Sequence, residues 1–274
     1  MKRILFKTKI FFQSRISFFK IKRVKPGYLS YRCNICGSFC DTMIGELGRE
    51  ISSCPCCAST VRMRAIVHLL SMELFGKSFA IQDFPVKKNI KGIGMSDWEP
   101  YAAGLKKKLG YKNTFYHKKP KLDIASIDPS LEGTLDFIIS SDVFEHVPPP
   151  VSRAFHNLRR LLKPGGVVIF TVPFTKDAKT LEHFPNLHKY EIAKTKEGHV
   201  LKNITKDGME ETFGNLVFHG GPGSTLELRV FAEGSLIKEF ESSGFKTVRI
   251  CGVPDFEHGI VWKDDWSLPI VARS

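Results

Sequence analysis

No run of eighteen uncharged apolar residues occurs in the 274-residue sequence, so no transmembrane helix is expected. No secretory signal fits either, because the apolar stretches near the start are too short for a signal core. The start of the chain also lacks acid: residues 1–26 contain no Asp or Glu. They hold Lys2, Arg3, Lys7, Lys9, Arg15, Lys20, Lys22, Arg23 and Lys25. The whole chain is formally +13, with 41 Lys and Arg against 28 Asp and Glu. With those nine cations set apart, 32 basic residues face all 28 acids, so residues 27–274 carry only +4. The body is near balance, which argues against a nucleic-acid partner for it. An apolar fraction of 42% excludes a disordered chain.

The basic leader interleaves its charges with Ile4, Leu5, Phe6, Ile10, Phe11, Phe12, Ile16, Phe18, Phe19 and Ile21. Leu5, Phe12, Ile16 and Phe19 share one helical face, interrupted by Arg15, so the amphipathicity is imperfect. Such a segment suits the interface of an anionic bilayer, an organellar presequence, a nucleic-acid contact or a plain tail. The expected location is cytoplasmic, with peripheral contact at the inner membrane surface as one option for residues 1–26.

Six of the seven cysteines fall within residues 33–57. Clustering without a secretory signal points to metal rather than to disulfides. Cys33 and Cys36 form one C-x-x-C, Cys54 and Cys57 another, and seventeen residues separate Cys36 from Cys54. Two such turns give the tetrahedron that structural zinc prefers, leaving no open position for substrate. Cys40 and Cys56 are spare. Residues 28–61 therefore read as a small zinc-ribbon-like module after a leader over 1–27.

From residue 62 strand and helix patterns alternate. Helices are expected over Val61–Phe75, Pro100–Leu109, Val151–Leu162 and Ser235–Ser242. Strands are expected over Ser78–Phe84, Asn89–Met95, Thr134–Ser140, Val167–Val172, Leu226–Phe231 and, as the last, Lys246–Ile250. The alternation implies an α/β domain over 62–274, with a doubly wound, mostly parallel seven-stranded sheet and helices on both faces. Residues 174–225, rich in Lys, Glu, Gly and Thr, read as an inserted lid.

Two segments carry a resemblance: LDFIISSDVFEHVPPP from Leu135, then AFHNLRRLLKPGGVVIFTVPF from Ala154. They resemble class I S-adenosylmethionine-dependent methyltransferases of the type 11-like kind. There a strand ends beside the cofactor, an E-H-V-P turn follows, and L-K-P-G-G enters the next strand. The likeness implies S-adenosylmethionine as cofactor and methyl transfer as activity.

Methyl transfer is an in-line displacement, so the enzyme must hold the cofactor, aim the acceptor and exclude water. Two registers are open. In one, Gly92 and Gly94 form the glycine-rich loop after strand one. In the other, which we prefer, residues 92–97 end strand two and Asp97 is the ribose acid. Asp123, with Ile124, then meets the adenine edge, and Ser141 and Asp142 end the fourth strand facing the cofactor. No G-x-G-x-x-G or D-x-G-x-G occurs at strand one. His146 is the candidate general base and Glu145 its orienting partner. His183, Tyr190 and His219, in the lid, are candidate acceptor contacts, while Glu227 and Arg229 read as a surface pair. The favoured acceptor is a hydroxyl of a small molecule or glycan. The alternatives are a methyltransferase-like scaffold that has lost cofactor binding, and an RNA methyltransferase.

Overall fold

The computed structural model describes residues 25–221 and 223–274. The leader reading therefore lies outside the described residues except at its last three positions. Among the described residues no helix is long and apolar enough to cross a membrane.

The chain opens with a hairpin of β1 (Tyr28–Arg32) and β2 (Phe39–Met43). The first C-x-x-C lies in its turn, and the second precedes α1 (Val61–Phe75). Thr60 caps α1 by accepting the Met63 N–H, and left-handed Gly76 ends it. Arg64 of α1 is fully buried. Its guanidinium donates to the Ser59 and Gly259 carbonyls at 2.8 and 2.9 Å and to Ser53 Oγ at 2.9 Å. One side chain thus ties the cysteine turns and a C-terminal loop to the helix.

There follow β3 (Lys87–Met95), α2 (Glu99–Lys108), β4 (Leu109–Thr114), β5 (Leu135–Ser141), α3 (Ser152–Leu161) and β6 (Leu162–Thr171). The inserted region carries β7 (Phe174–Thr175), β8 (Leu181–Glu182), β9 (Lys189–Thr195), β10 (Gly198–Ile204), β11 (Glu210–Phe213), β12 (Phe218–His219) and β13 (Thr225–Leu226). The chain closes with β14 (Arg229–Ala232), α4 (Glu233–Ser242), β15 (Thr247–Ile250) and β16 (Ile270–Arg273).

The main sheet runs β15-β16-β6-β5-β3-β4. β3 to β6 pair in parallel, and β16 runs antiparallel to both neighbours. Five of the six strands therefore run the same way, so the sheet is mostly parallel with one reversed strand, and the expected count of seven is corrected to six among the described residues. Ser78–Phe84 forms no strand. Ile81–Asp83 is a 3-10 turn, and the Ile81 N–H donates to the Asn34 carbonyl at 2.8 Å, which docks the segment on the first cysteine turn. Lys246–Ile250 is not the last strand either, since β16 returns between it and β6.

The same order corrects the preferred register. β3 pairs with β5 on one side and β4 on the other, so it takes the place of strand one rather than strand two. Gly92 is needed there for packing: a Cβ would lie 2.3 Å from the Phe137 ring. Gly92→Ala should lower stability by about 1–3 kcal/mol through overpacking. The measurement is the urea midpoint at unchanged slope; an unmoved midpoint would show that Phe137 relocates freely.

Strand alternation gives the sheet two apolar faces. Phe137, Ile139, Val167 and Ile169 pack with α1, α2 and the cysteine turns, including Cys33, Cys40 and Cys54. Ile138, Val168 and Phe170 pack with α3 and α4. The cysteine segment therefore shares a core with the sheet. The inserted strands have a small core of their own, Phe184, Leu187, Leu201, Leu226 and Leu228.

Candidate active site

A cavity of about 890 Å³ opens at the C-terminal ends of β3, β4 and β5, where Met95, Thr114 and Asp142 reach its wall. Ligands of doubly wound sheets bind at this edge. Tyr190, Ile192 and His219 of the inserted region line its other side. Two non-glycine residues there have left-handed backbone, Ser96 (φ 59°) and Asp142 (φ 51°). Such strain is held where a site over-determines the chain.

Leu122, Asp123 and Ile124 line the cavity. Asp123 Oδ1 accepts the Ala125 N–H at 2.9 Å, which fixes the turn. A cluster of charged side chains also reaches the wall. Arg62, from the first turn of α1, grips Glu50 with two bonds of 2.7 Å. Arg49 donates to Asp142 Oδ1 at 2.9 Å, and Arg62 Nε lies 3.2 Å from Asp142 Oδ2. Arg62 also bonds Ser141 Oγ. Burial works against the Asp142 charge, but the Arg62 and Arg49 guanidiniums outweigh it and hold the carboxyl below its usual range.

His146 also lines the cavity, and its Nδ1 contacts the Leu226 carbonyl at 2.7 Å. A carbonyl only accepts, so Nδ1 carries the proton and Nε2 keeps its lone pair. Burial lowers the pKa of this ring, so it is neutral at pH 7. His219 Nε2 and His183 Nε2 meet Glu227 at 2.9 and 3.0 Å. Glu145 stands behind the two imidazoles, fully buried, with neither carboxylate oxygen hydrogen-bonded. Burial first, and then the Asp142 and Glu227 charges, raise its pKa well above the ordinary value.

Of the residues the sequence singled out, Asp123, Ile124, Asp142, His146, Tyr190 and His219 line one cavity. Ser141 joins through Arg62, Glu145 stands behind His146 and His219, and His183 stands behind Glu227. Asp97, Gly92 and Gly94 are not brought to its wall. The Asp97 carboxylate turns inward and accepts the Tyr111 hydroxyl at 2.6 Å, and a Cβ on Gly94 would meet it at 1.9 Å. The ribose-acid reading of Asp97 is corrected on this geometry. Thr114, Phe115 and Tyr116 stand at the end of β4, where such an acid would be wanted. Glu227 and Arg229 are not a surface pair: Glu227 serves two histidines, and buried Arg229 donates to the Phe144 and Val147 carbonyls. Arg49, Glu50 and Arg62 had no motif to announce them.

The cysteine cluster lies on the α1 side of the sheet. The Sγ atoms of Cys33, Cys36, Cys54 and Cys57 all lie within 4.8 Å of one another. Cys33–Cys57 and Cys36–Cys54 are each 3.7 Å apart. A tetrahedral zinc bound at about 2.3 Å to each sulfur wants them roughly 3.8 Å apart. Cys40 is buried 3.7 Å from Cys54, whereas Cys56 is exposed.

The family model described as a methyltransferase domain matches residues 80–250. The chain belongs to this methyltransferase family. It is a class I S-adenosylmethionine-dependent methyltransferase. No curated protein matches it.

Among solved structures the methyltransferase is similar to 1,6-didemethyltoxoflavin-N1-methyltransferase of Burkholderia thailandensis. Identity is 14%, with 77% of each chain covered and a TM-score of 0.43. An S-adenosylmethionine-dependent methyltransferase of Mesorhizobium loti is 14% identical, over 71% of this chain and 96% of that one, with a TM-score of 0.38. Phosphoethanolamine N-methyltransferase 2 of Haemonchus contortus is 12% identical, over 68% of this chain and 38% of that one, with a TM-score of 0.36.

Proposed function

We propose that the methyltransferase moves a methyl group from S-adenosylmethionine to a hydroxyl of a small-molecule or sugar-like acceptor held beneath the inserted strands. The observation that carries this reading is one cavity lined both by the charged groups of Arg49, Arg62 and Asp142 and by the imidazoles of His146 and His219. Its volume, about 890 Å³, lies high in the roughly 300–1,000 Å³ range of ligand pockets. It has room for two molecules side by side.

The cofactor, when bound, supplies an electrophilic methyl on a sulfonium. Asp123 and Ile124 receive its adenine. Its amino-acid carboxylate goes to Arg62 and Arg49. In many doubly wound folds backbone N–H groups at a helix start do this work, but Ser96, Asp97 and Trp98 follow β3 here with no glycine loop. This assignment is supported by Glu50, whose exposed carboxylate fills the Arg62 fork with two matched bonds. Asp142 remains for the ammonium. His146, Glu145 and His219 receive and activate the acceptor oxygen, and Tyr190 covers it. Cys33, Cys36, Cys54 and Cys57 hold one structural zinc, a role supported by their matched separations.

Calorimetric titration tests the cofactor half. Arg62→Ala should weaken S-adenosylmethionine binding about 10- to 100-fold, as expected for lost bonds to a charged group. Its affinity for decarboxylated S-adenosylmethionine, which lacks the carboxylate, should stay the same. Equal weakening for both ligands would remove the assignment, and no heat from either with the unaltered protein would sink the whole reading.

A further inference from the structure

Glu145 presents an unresolved polar problem. Its side chain has no solvent exposure, and neither oxygen is hydrogen-bonded. A buried carboxyl in that state is costly unless something positive or proton-donating meets it. The groups nearest Oε1 are His146 Nε2 and His219 Nδ1, each at 3.6 Å. That is too long for hydrogen bonds, so the three atoms converge without bonding one another.

Both imidazoles are also oriented from behind. The His146 Nδ1–H is engaged by the Leu226 carbonyl, so the Nε2 lone pair faces Glu145. His219 gives Nε2–H to Glu227, which leaves the Nδ1 lone pair on the same side. Glu227 is held in turn by His183. An imidazole whose outer N–H is fixed by a carbonyl or carboxylate is the usual surrounding of a metal-binding histidine.

We propose that Glu145, His146 and His219 form a binding site for one divalent transition-metal cation at the acceptor end of the cavity. Two imidazole nitrogens and a carboxylate suit Mn²⁺, Fe²⁺, Ni²⁺ or Zn²⁺. These ligand atoms lie within 4.8 Å of one another. A cation about 2.1 Å from each donor wants donors roughly 3 to 3.5 Å apart, so the 3.6 Å separations to Glu145 Oε1 need only a slight closing. Three protein ligands on one side leave coordination positions open toward the cavity. The proposal rests on the reading of this end as the acceptor's, and it says how that end activates a hydroxyl. The cation holds the acceptor oxygen and makes its proton easier to lose to solvent water; the oxygen then bonds the methyl carbon as the carbon–sulfur bond breaks, leaving the neutral thioether of the spent cofactor.

The site is distinct in chemistry from the four-sulfur cluster, and the test uses that difference. Manganese(II) is a hard cation poorly matched to thiolates. Full-length protein brought to one zinc per chain, enough for the four-sulfur cluster alone, and free of cofactor, is titrated with Mn²⁺ and followed by electron paramagnetic resonance. The expected result is one bound Mn²⁺ per chain. That binding should be abolished in Glu145→Gln and in His219→Ala, with zinc content unchanged in both. His219 ends the short strand β12 and its side chain is partly exposed, so its variant keeps the fold even if Glu145→Gln does not. No bound Mn²⁺ in the unaltered protein, or binding that survives His219→Ala, overturns the proposal. The methyl-transfer reading is judged separately by cofactor calorimetry, so the two can fail independently.

Discussion

Cys54→Ser is expected to empty the cysteine cluster of metal and to remove most of the folded stability of the methyltransferase. Cys54 is buried among Cys36, Cys40 and the apolar residues of α1 and the sheet. Binding of a structural zinc is worth about 10–16 kcal/mol in small zinc modules. A whole domain has only about 5–15 kcal/mol of net stability. Even partial loss of the metal term is therefore comparable with the stability of the fold. Zinc per chain should drop from one to near zero. The melting temperature should fall by more than about 10 °C, given about 2–4 °C per kcal/mol for domains of this size. Cofactor binding should go with it, because Arg49 and Arg62 flank the same turns. Cys56→Ser, at an exposed position, should change neither quantity. A metal-free Cys54→Ser protein with an unchanged melting temperature would detach the cluster from folding altogether.

His146→Ala is expected to cut turnover by about 100- to 10,000-fold, the usual worth of a group that activates the reacting hydroxyl. Affinity for S-adenosylmethionine should be unchanged, because His146 is bonded to Leu226 beside the inserted strands and is not among the proposed cofactor contacts Arg49, Arg62, Asp123 and Asp142. The split between turnover and cofactor affinity is the decisive reading. A parallel loss of both would mean that the ring merely supports the wall. The carbonyl of Leu226 loses its donor in this variant, so a melting curve should accompany the kinetics.

Much of this arrangement was readable from local patterns. The two C-x-x-C turns were legible because each is a short-range motif, and folding brings their four sulfurs together. The apolar runs TLDFIIS and VVIFTV were legible as buried strands, and α1 begins and ends where its cap and glycine indicate. The preferred register misled because Ser78–Phe84 was counted as strand one, which made residues 92–97 the end of strand two and Asp97 its acid. Gly92 and Gly94 make room for Phe137, Tyr111 and Asp97. Ser78–Phe84 looked like a strand because its apolar residues are buried, yet they are buried against the cysteine turns rather than in the sheet. β16 is only four residues long and is specified by its antiparallel neighbours, which no local pattern reveals. Arg49 and Arg62 belong to no motif. They meet over Asp142 only after the cysteine turns have folded, and a single sequence offers no local sign of that.

The separate small core of the inserted strands has an evolutionary consequence. Phe184, Leu187, Leu201, Leu226 and Leu228 pack with one another, apart from the two layers that flank the sheet. Changes there can be absorbed without disturbing the layers that carry the cofactor end. Tyr190 and His219, which line the cavity and are the proposed acceptor contacts, are borne by this same region. A lineage could therefore exchange one acceptor for another by drift within the insert, while the apparatus that handles the methyl donor stays under separate and stricter selection.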